Sequence, residues 1–255
     1  MTLDRHRQDW DRLAETDALW AVLTKPGTKG GRWDVEEFFA TGEAEIAHVL
    51  TVAEPLGRPS RRAQALDFGC GVGRLTRAMA RHFSHCTGVD VAETMIEQAT
   101  RLNPGSASTF VVNETNDLAR FEDSTFDFVY SALVLQHLPT VAVIRRFIAE
   151  FLRVLKPGGL LAFQLPTRMP PRSLRNRLRL RTRAYTALRA VGFDQRMLYE
   201  RLKLVPVMQM QCIPEEAVLA YLRLLGAAVL EVQHGRFEVG EVESAIYFVT
   251  KSSGR

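Results

Sequence analysis

Ala65-Leu66-Asp67-Phe68-Gly69-Cys70-Gly71-Val72-Gly73-Arg74-Leu75 is the stretch on which the reading of this chain turns. An apolar strand runs into three closely spaced glycines and then into a helix. Such a junction lets backbone approach a ligand and leaves N–H groups free at the helix start. Asp90 follows 21 residues after Gly69, at the end of the next apolar strand in Gly88-Val89-Asp90. A carboxylate in that place can accept both hydroxyl protons of a ribose, so a nucleoside-bearing ligand is expected. Dinucleotide binders share the acid, but their fingerprint is G-x-G-x-x-G. Here the spacing is G-x-G-x-G, and Arg74 stands where their third glycine would sit.

Outward from this junction, short apolar strands alternate with amphipathic helix-length stretches, the pattern of a mostly parallel sheet covered on both faces. Strands are expected near 64–69, 85–90, 107–112, 126–131 and 159–164, with helices near 73–83, 92–102 and 140–155. Before them, residues 5–55 read as helices broken at Lys25-Pro26-Gly27. After them, residues 166–212 carry prolines, arginines and irregular apolar positions, which reads as a helical insertion. A further helix opened by Pro214-Glu215-Glu216, a strand near 228–234 and a last strand in Ala245-Ile246-Tyr247-Phe248-Val249 complete an α/β, doubly wound, seven-stranded sheet. The last strand is expected to pair antiparallel, because a loop replaces the crossover helix that a parallel pair needs. The organisation is therefore an N-terminal helical cover over 1–58 and an α/β domain over 59–255, interrupted by the insertion at 166–212.

At 46% hydrophobic and 24% charged residues the composition is that of a globular protein, and no apolar run approaches a membrane span. The N-terminus lacks the apolar core of a secretory signal, so a cytoplasmic address is expected. Cys70, Cys86 and Cys212 are too scattered for a disulfide framework, and neither C-x-x-C nor H-x-x-x-H suggests a metal.

D-F-G-C-G-V-G resembles motif I of the class I S-adenosylmethionine-dependent methyltransferases, of Rossmann-like fold, and G-V-D-V-A-E-T-M-I resembles their ribose-binding segment. Phe126-Asp127-Phe128-Val129-Tyr130-Ser131 resembles the family's fourth strand. Leu135-Gln136-His137-Leu138-Pro139 looks like the turn after it, and Leu152-Arg153-Val154-Leu155-Lys156-Pro157-Gly158-Gly159 like the helix exit into the fifth. The resemblance spans roughly residues 60–165 and is to the small-molecule members, of the type 11/25 kind. It implies S-adenosylmethionine as cofactor, with Asp67 near the methionine amino end and Gly69, Cys70, Gly71 and Gly73 as the loop beneath it. Asp90 would hold the ribose, and Val91 and Met95 would flank the adenine. Asn116, Asp117 and Leu118 would reach the adenine edge, and Gln136 would lie beside the donor.

A methyl acceptor with an O–H or N–H needs somewhere to send its proton, and His137, just past the fourth strand, is the candidate base. The alternative is a histidine that shapes the turn by hydrogen bonding. No N/D-P-P-Y/F pattern follows the fourth strand, which disfavours nucleic acid and leaves a small molecule as the expected partner. Trp33 and Phe38 are expected on the substrate side, as a lid or as packing. Arg172 and Arg175, within an arginine-rich run, would meet an anionic substrate or a membrane surface, or simply solvent. Oxygen is the expected acceptor atom and nitrogen the runner-up. A nicotinamide oxidoreductase and a cofactor-binding module without turnover are the rival readings. Oligomeric state is not legible in the sequence.

Overall fold

The computed structural model describes residues 3–168, 183–185, 187–188, 190–193, 195–202, 204, 210–237 and 242–251. Two helices come first, α1 (Leu3–Val22) and α2 (Val35–Ala53). Strand and helix then alternate through β1 (Gln64–Phe68), α3 (Arg74–Met79), β2 (His85–Asp90), α4 (Glu93–Leu102), β3 (Ser108–Val112), β4 (Phe126–Ser131), α5 (Val141–Val154) and β5 (Leu155–Arg168). The described part continues with α6 (Gln195–Leu202), α7 (Glu215–Leu224), β6 (Ala227–Phe237) and β7 (Val242–Lys251).

The seven strands form one sheet in the order β3-β2-β1-β4-β5-β7-β6. β1 to β5 pair in parallel, and β7 lies antiparallel between β5 and β6. The chain thus leaves β1 in one direction and returns to β4 in the other, and the carboxyl ends of β1 and β4 flank the switch point where such sheets bind ligands.

Both faces of the sheet are covered at its centre, where all six residues of β4 are buried. On one face α5 presents Ile144, Phe147, Ile148 and Phe151 to the sheet at helical spacing, with Phe68 against Phe147 at 4.5 Å. On the other, α2 and α3 contribute Ile46, Val49 and Met79. α3 is shorter than the expected 73–83, because after Ala80 the chain turns and drops Phe83 into this core, stacked on Phe128 at 5.3 Å.

The fifth strand is longer than expected at both ends. It begins at Leu155, opposite Phe126, so Lys156-Pro157-Gly158-Gly159 is a bulge inside the strand, with Gly158 at φ 78°, rather than a turn before it. It runs on to Arg168 because Leu165, Pro166 and Arg168 find partners on β7, which moves the start of the insertion past 166. α1 crosses the carboxyl end of the sheet and is tied to α4, where Asp11 Oδ1 accepts from Thr94 N at 3.1 Å and the Ala14 carbonyl accepts from Gln98 Nε2 at 3.0 Å. Among the described residues no helix is long and apolar enough to cross a membrane.

Candidate active site

The glycine junction closes on itself at the end of β1. Gly69 N and Cys70 N donate to the Val89 carbonyl on β2 at 2.8 and 3.0 Å, and Gly71 N donates to Asp90 Oδ2 at 2.9 Å. Gly69 and Gly71 hold φ of 76° and 51°, in the left-handed region that favours glycine. Space demands glycine as well: a Cβ on Gly69 would fall 2.3 Å from the Val134 side chain, and one on Gly71 2.4 Å from that of Val22. Arg74, at the place of the absent third glycine, is buried and pairs with Glu45 at 2.8 Å. Close approach is transferred to α2, where a Cβ on Gly42 would lie 2.5 Å from the Arg74 carbonyl oxygen.

Above this loop is a cavity of about 590 Å³, within the usual range for small-molecule sites, about 300–1,000 Å³. Asp90 opens into it. One carboxylate oxygen takes Gly71 N and the other takes Ala92 N at 3.0 Å, Val91 N is a further backbone donor, and the carboxylate keeps capacity for another donor. Burial raises its carboxyl above the usual carboxylate range. Val91, Met95, Gly69, Cys70 and Gly71 share the wall with it. Burial also lifts the Cys70 thiol well above its ordinary value, which leaves it protonated and unsuited to act as a nucleophile.

The opposite wall comes from the turn after β4 and from α1. Gln136 and His137 both line the cavity. Gln136 is buried, and its Oε1 has no hydrogen-bond partner among the described residues. Half-buried His137 packs its ring edge-on to Trp10 of α1, with centroids 5.6 Å apart. Leu133 holds φ at 63°, a strained value for a residue with a Cβ, and is fixed there because its N–H donates to Gln164 Oε1 at 2.9 Å.

Several sequence expectations are redirected. Asp67 is 1% exposed and does not reach the cavity; it lies beneath the loop, where Thr76 Oγ1 donates to its Oδ2 at 2.6 Å, and burial pushes its carboxyl up to about 7. Gly73 is turned away toward Asn103 and Phe110. Asn116, Asp117 and Leu118 stay off the wall, because α5 holds the loop: Asp117 pairs with Arg146 at 3.0 Å, and Leu118 N donates to Glu150 while its side chain enters the core. Asn113 and Thr115, just before them, line the cavity instead. Trp33 also lines it, its Nε1 donating to the Leu23 carbonyl at 3.0 Å, whereas Phe38 is fully buried behind Trp33. Arg172 and Arg175 lie outside the described residues. His6, Trp10 and Met210 reach the wall without having been singled out. The signal for the first two was the four-residue spacing that puts them on one helical face.

A parallel sheet with its switch point beneath a G-x-G-x-G loop, followed by a carboxylate at the end of β2, defines a nucleoside-binding α/β domain of the class I methyltransferase kind. Residues 66–163 match the family described as Methyltransferase domain. Among curated proteins the chain is 32% identical over 129 residues to 2-methyl-6-phytyl-1,4-hydroquinone methyltransferase of a Synechocystis strain, covering 50% of this chain and 39% of that one. It is 37% identical over 174 residues to ubiquinone biosynthesis O-methyltransferase of Xanthomonas campestris, covering 65% and 63%. The match thus spans less than two thirds of either relative. Among solved structures, magnesium protoporphyrin IX methyltransferase from Synechocystis with bound S-adenosylhomocysteine superposes with a TM-score of 0.63 at 18% identity, over 98% of this chain and 99% of that one. The N-methyltransferase NodS from Bradyrhizobium japonicum, also with S-adenosylhomocysteine, gives 0.60 at 18% identity, over 97% and 99%. At these identities the superpositions establish the shared fold.

Proposed function

We propose that this chain transfers the methyl group of S-adenosylmethionine to a hydroxyl oxygen of a small, largely apolar acceptor. The observation that carries the proposal is one cavity holding, on one wall, the glycine loop and the Asp90 carboxylate and, on the other, an imidazole from the turn after β4. The residues present fit the cofactor: Asp90 keeps acceptor capacity beside its backbone donors for a ribose hydroxyl, and Val91 and Met95 are apolar neighbours for an adenine. Asn113 and Thr115 supply polar atoms at the adenine end, in place of Asn116–Leu118. Gln136, with an unpartnered Oε1, suits the amino or methyl-donor end.

When bound, S-adenosylmethionine supplies an electrophilic methyl carbon on a cationic sulfur. The acceptor oxygen would take that carbon from sulfur, and a ring nitrogen of His137 would receive the hydroxyl proton and pass it to solvent. The products are a methyl ether and S-adenosylhomocysteine. Trp10, Trp33, Leu138 and Phe147 give the cavity walls that exclude water and hold the acceptor in line, the condition under which positioning contributes most. One curated relative, named ubiquinone biosynthesis O-methyltransferase, supports oxygen as the acceptor atom.

The test is calorimetric. S-adenosylhomocysteine should bind the native chain, and Asp90→Ala should weaken binding by about 1.5–3 kcal/mol, the range for hydrogen bonds to a charged group. Full affinity in a folded Asp90→Ala protein would refute the ribose assignment, and comparable affinity for NAD would refute the cofactor.

A further inference from the structure

The cavity contains a polar group to which methyl transfer, as described above, gives no task. His6, in the first turns of α1, lines the cavity and is only 4% exposed, and its Nδ1 has no hydrogen-bond partner among the described residues. An unsatisfied buried polar atom is destabilising unless a ligand supplies its partner. The His6 ring stands edge-on to Trp10 at 6.2 Å, and Trp10 stands edge-on to His137 at 5.6 Å, so one indole separates two imidazoles along the same wall. The surroundings also fix its charge. Burial lowers the His6 imidazole to about 4, so at neutral pH the ring is uncharged and has one donor and one acceptor nitrogen. A neutral ring gives no advantage to a charged acceptor, and a cationic methyl donor nearby would oppose its protonation. Leu138, Phe147, Met210 and Val242 give the same cavity apolar wall.

We propose that His6 is an acceptor-binding residue, its Nδ1 hydrogen-bonding a second polar O–H or N–H of an uncharged aromatic acceptor whose reacting hydroxyl is turned toward His137. The inference rests on the methyl-transfer reading of the site. It assigns the two histidines different tasks. His6 fixes which edge of the acceptor ring enters, and His137 receives the proton released when the oxygen–carbon bond forms. It also gives α1 a part in specificity, because His6 and Trp10 stand one helical turn apart on the face that closes the cavity.

Catechol, an uncharged ring with two hydroxyls, is the probe. Native protein, His6→Phe and His6→Asn, each saturated with S-adenosylhomocysteine, are titrated with catechol by calorimetry, and the His6 ring nitrogens are followed by NMR. His6→Phe should bind catechol about 10-fold more weakly or worse, the equivalent of one lost hydrogen bond of about 1.4 kcal/mol, with unchanged S-adenosylhomocysteine affinity. Its melting temperature should hold or rise, since an apolar ring of the same shape replaces an unsatisfied one. His6→Asn, whose amide falls near the position of Nδ1, should recover most of the affinity. The Nδ1 resonance should shift with catechol and stay in place with methoxybenzene, which offers no O–H. A native protein that takes up S-adenosylhomocysteine but no catechol, equal catechol affinity in His6→Phe, or an unmoved Nδ1 resonance would each overturn the proposal. Failure of the native protein to bind S-adenosylhomocysteine would count instead against the methyl-transfer reading, and this inference would fall with it.

Discussion

Asp67 and Asp90 stand at the ends of neighbouring strands, yet their surroundings differ. Asp90 opens to the cavity and takes two backbone N–H donors, whereas Asp67 is sealed under the loop with Thr76. Burial raises the Asp67 carboxyl to about 7, while the unfolded chain releases that proton in the ordinary carboxylate range. Between those values the native state binds more protons, so this contribution to stability is fully present below the unfolded value and is lost as pH rises through about 7. Asp67→Asn cannot titrate. Its melting temperature should fall less steeply than that of the native chain between about pH 5 and pH 8, and parallel profiles would show that Asp67 is ionised throughout. His137 is tested by rate. If it takes the acceptor proton, His137→Ala should lower single-turnover methyl transfer by about 10²–10⁴-fold at unchanged S-adenosylhomocysteine affinity and melting temperature. A lowered melting temperature with an undiminished single-turnover rate would make it a residue that shapes the turn.

At the scale of elements, α1 decides how the cavity is closed. The helix is broken at Asp17, whose backbone leaves helical geometry at φ −166° and ψ 78°, and whose carboxylate accepts from Gly30 N at 2.6 Å and Gly31 N at 3.2 Å. That clasp joins the helix carrying His6 and Trp10 to the loop that leads to Trp33. Asp17→Ala should therefore cost about 1.5–3 kcal/mol, the range for hydrogen bonds to a charged group, and speed amide exchange in α1 and around Gly30 while β1, β4 and β5 keep their protection. Uniform exchange across the chain would mean that α1 unfolds only with the sheet. The clasp was not legible in the sequence, since Asp17 and Gly31 become neighbours only through the turn between α1 and α2. The sheet was legible, because strands buried on both faces are continuous apolar runs and those from Gln64 to Ser131 need no distant partner to be recognised. β5 was misjudged in length for the converse reason: its extension to Arg168 depends on β7, and Pro157-Gly158-Gly159 reads the same as a turn or as a bulge. The cofactor wall followed similar logic, Gly69, Gly71 and Asp90 being local features of two strand ends. The opposite wall draws His6, Leu133 and Met210 from segments without a shared motif, and packing alone brings them together.

For the whole molecule, the cavity lies where three separately stabilised parts meet: the α5 face of the sheet, the α2–α3 face, and the α1 cover. Phe147, Leu75 and Trp10 line it from those respective sides, so a ligand there touches all three. S-adenosylhomocysteine should bind the folded chain and have no site on the unfolded one. At 100 times its dissociation constant it should then add about 2.7 kcal/mol, and each further tenfold about 1.4 kcal/mol. For a chain of this size those gains correspond to a melting-temperature rise of roughly 5–10 °C, then roughly 3–5 °C per decade. The dependence on concentration matters more than the size of the shift, because a salt or solvent effect does not follow the logarithm of ligand concentration. Asp90→Ala should move the same curve to higher concentration without changing its slope, while His6→Phe should leave it where it is, since His6 is assigned to the acceptor. A scan in which NAD raises the melting temperature as S-adenosylhomocysteine does would identify a general nucleotide site. A melting temperature indifferent to S-adenosylhomocysteine at millimolar concentration would mean that the cavity takes another ligand.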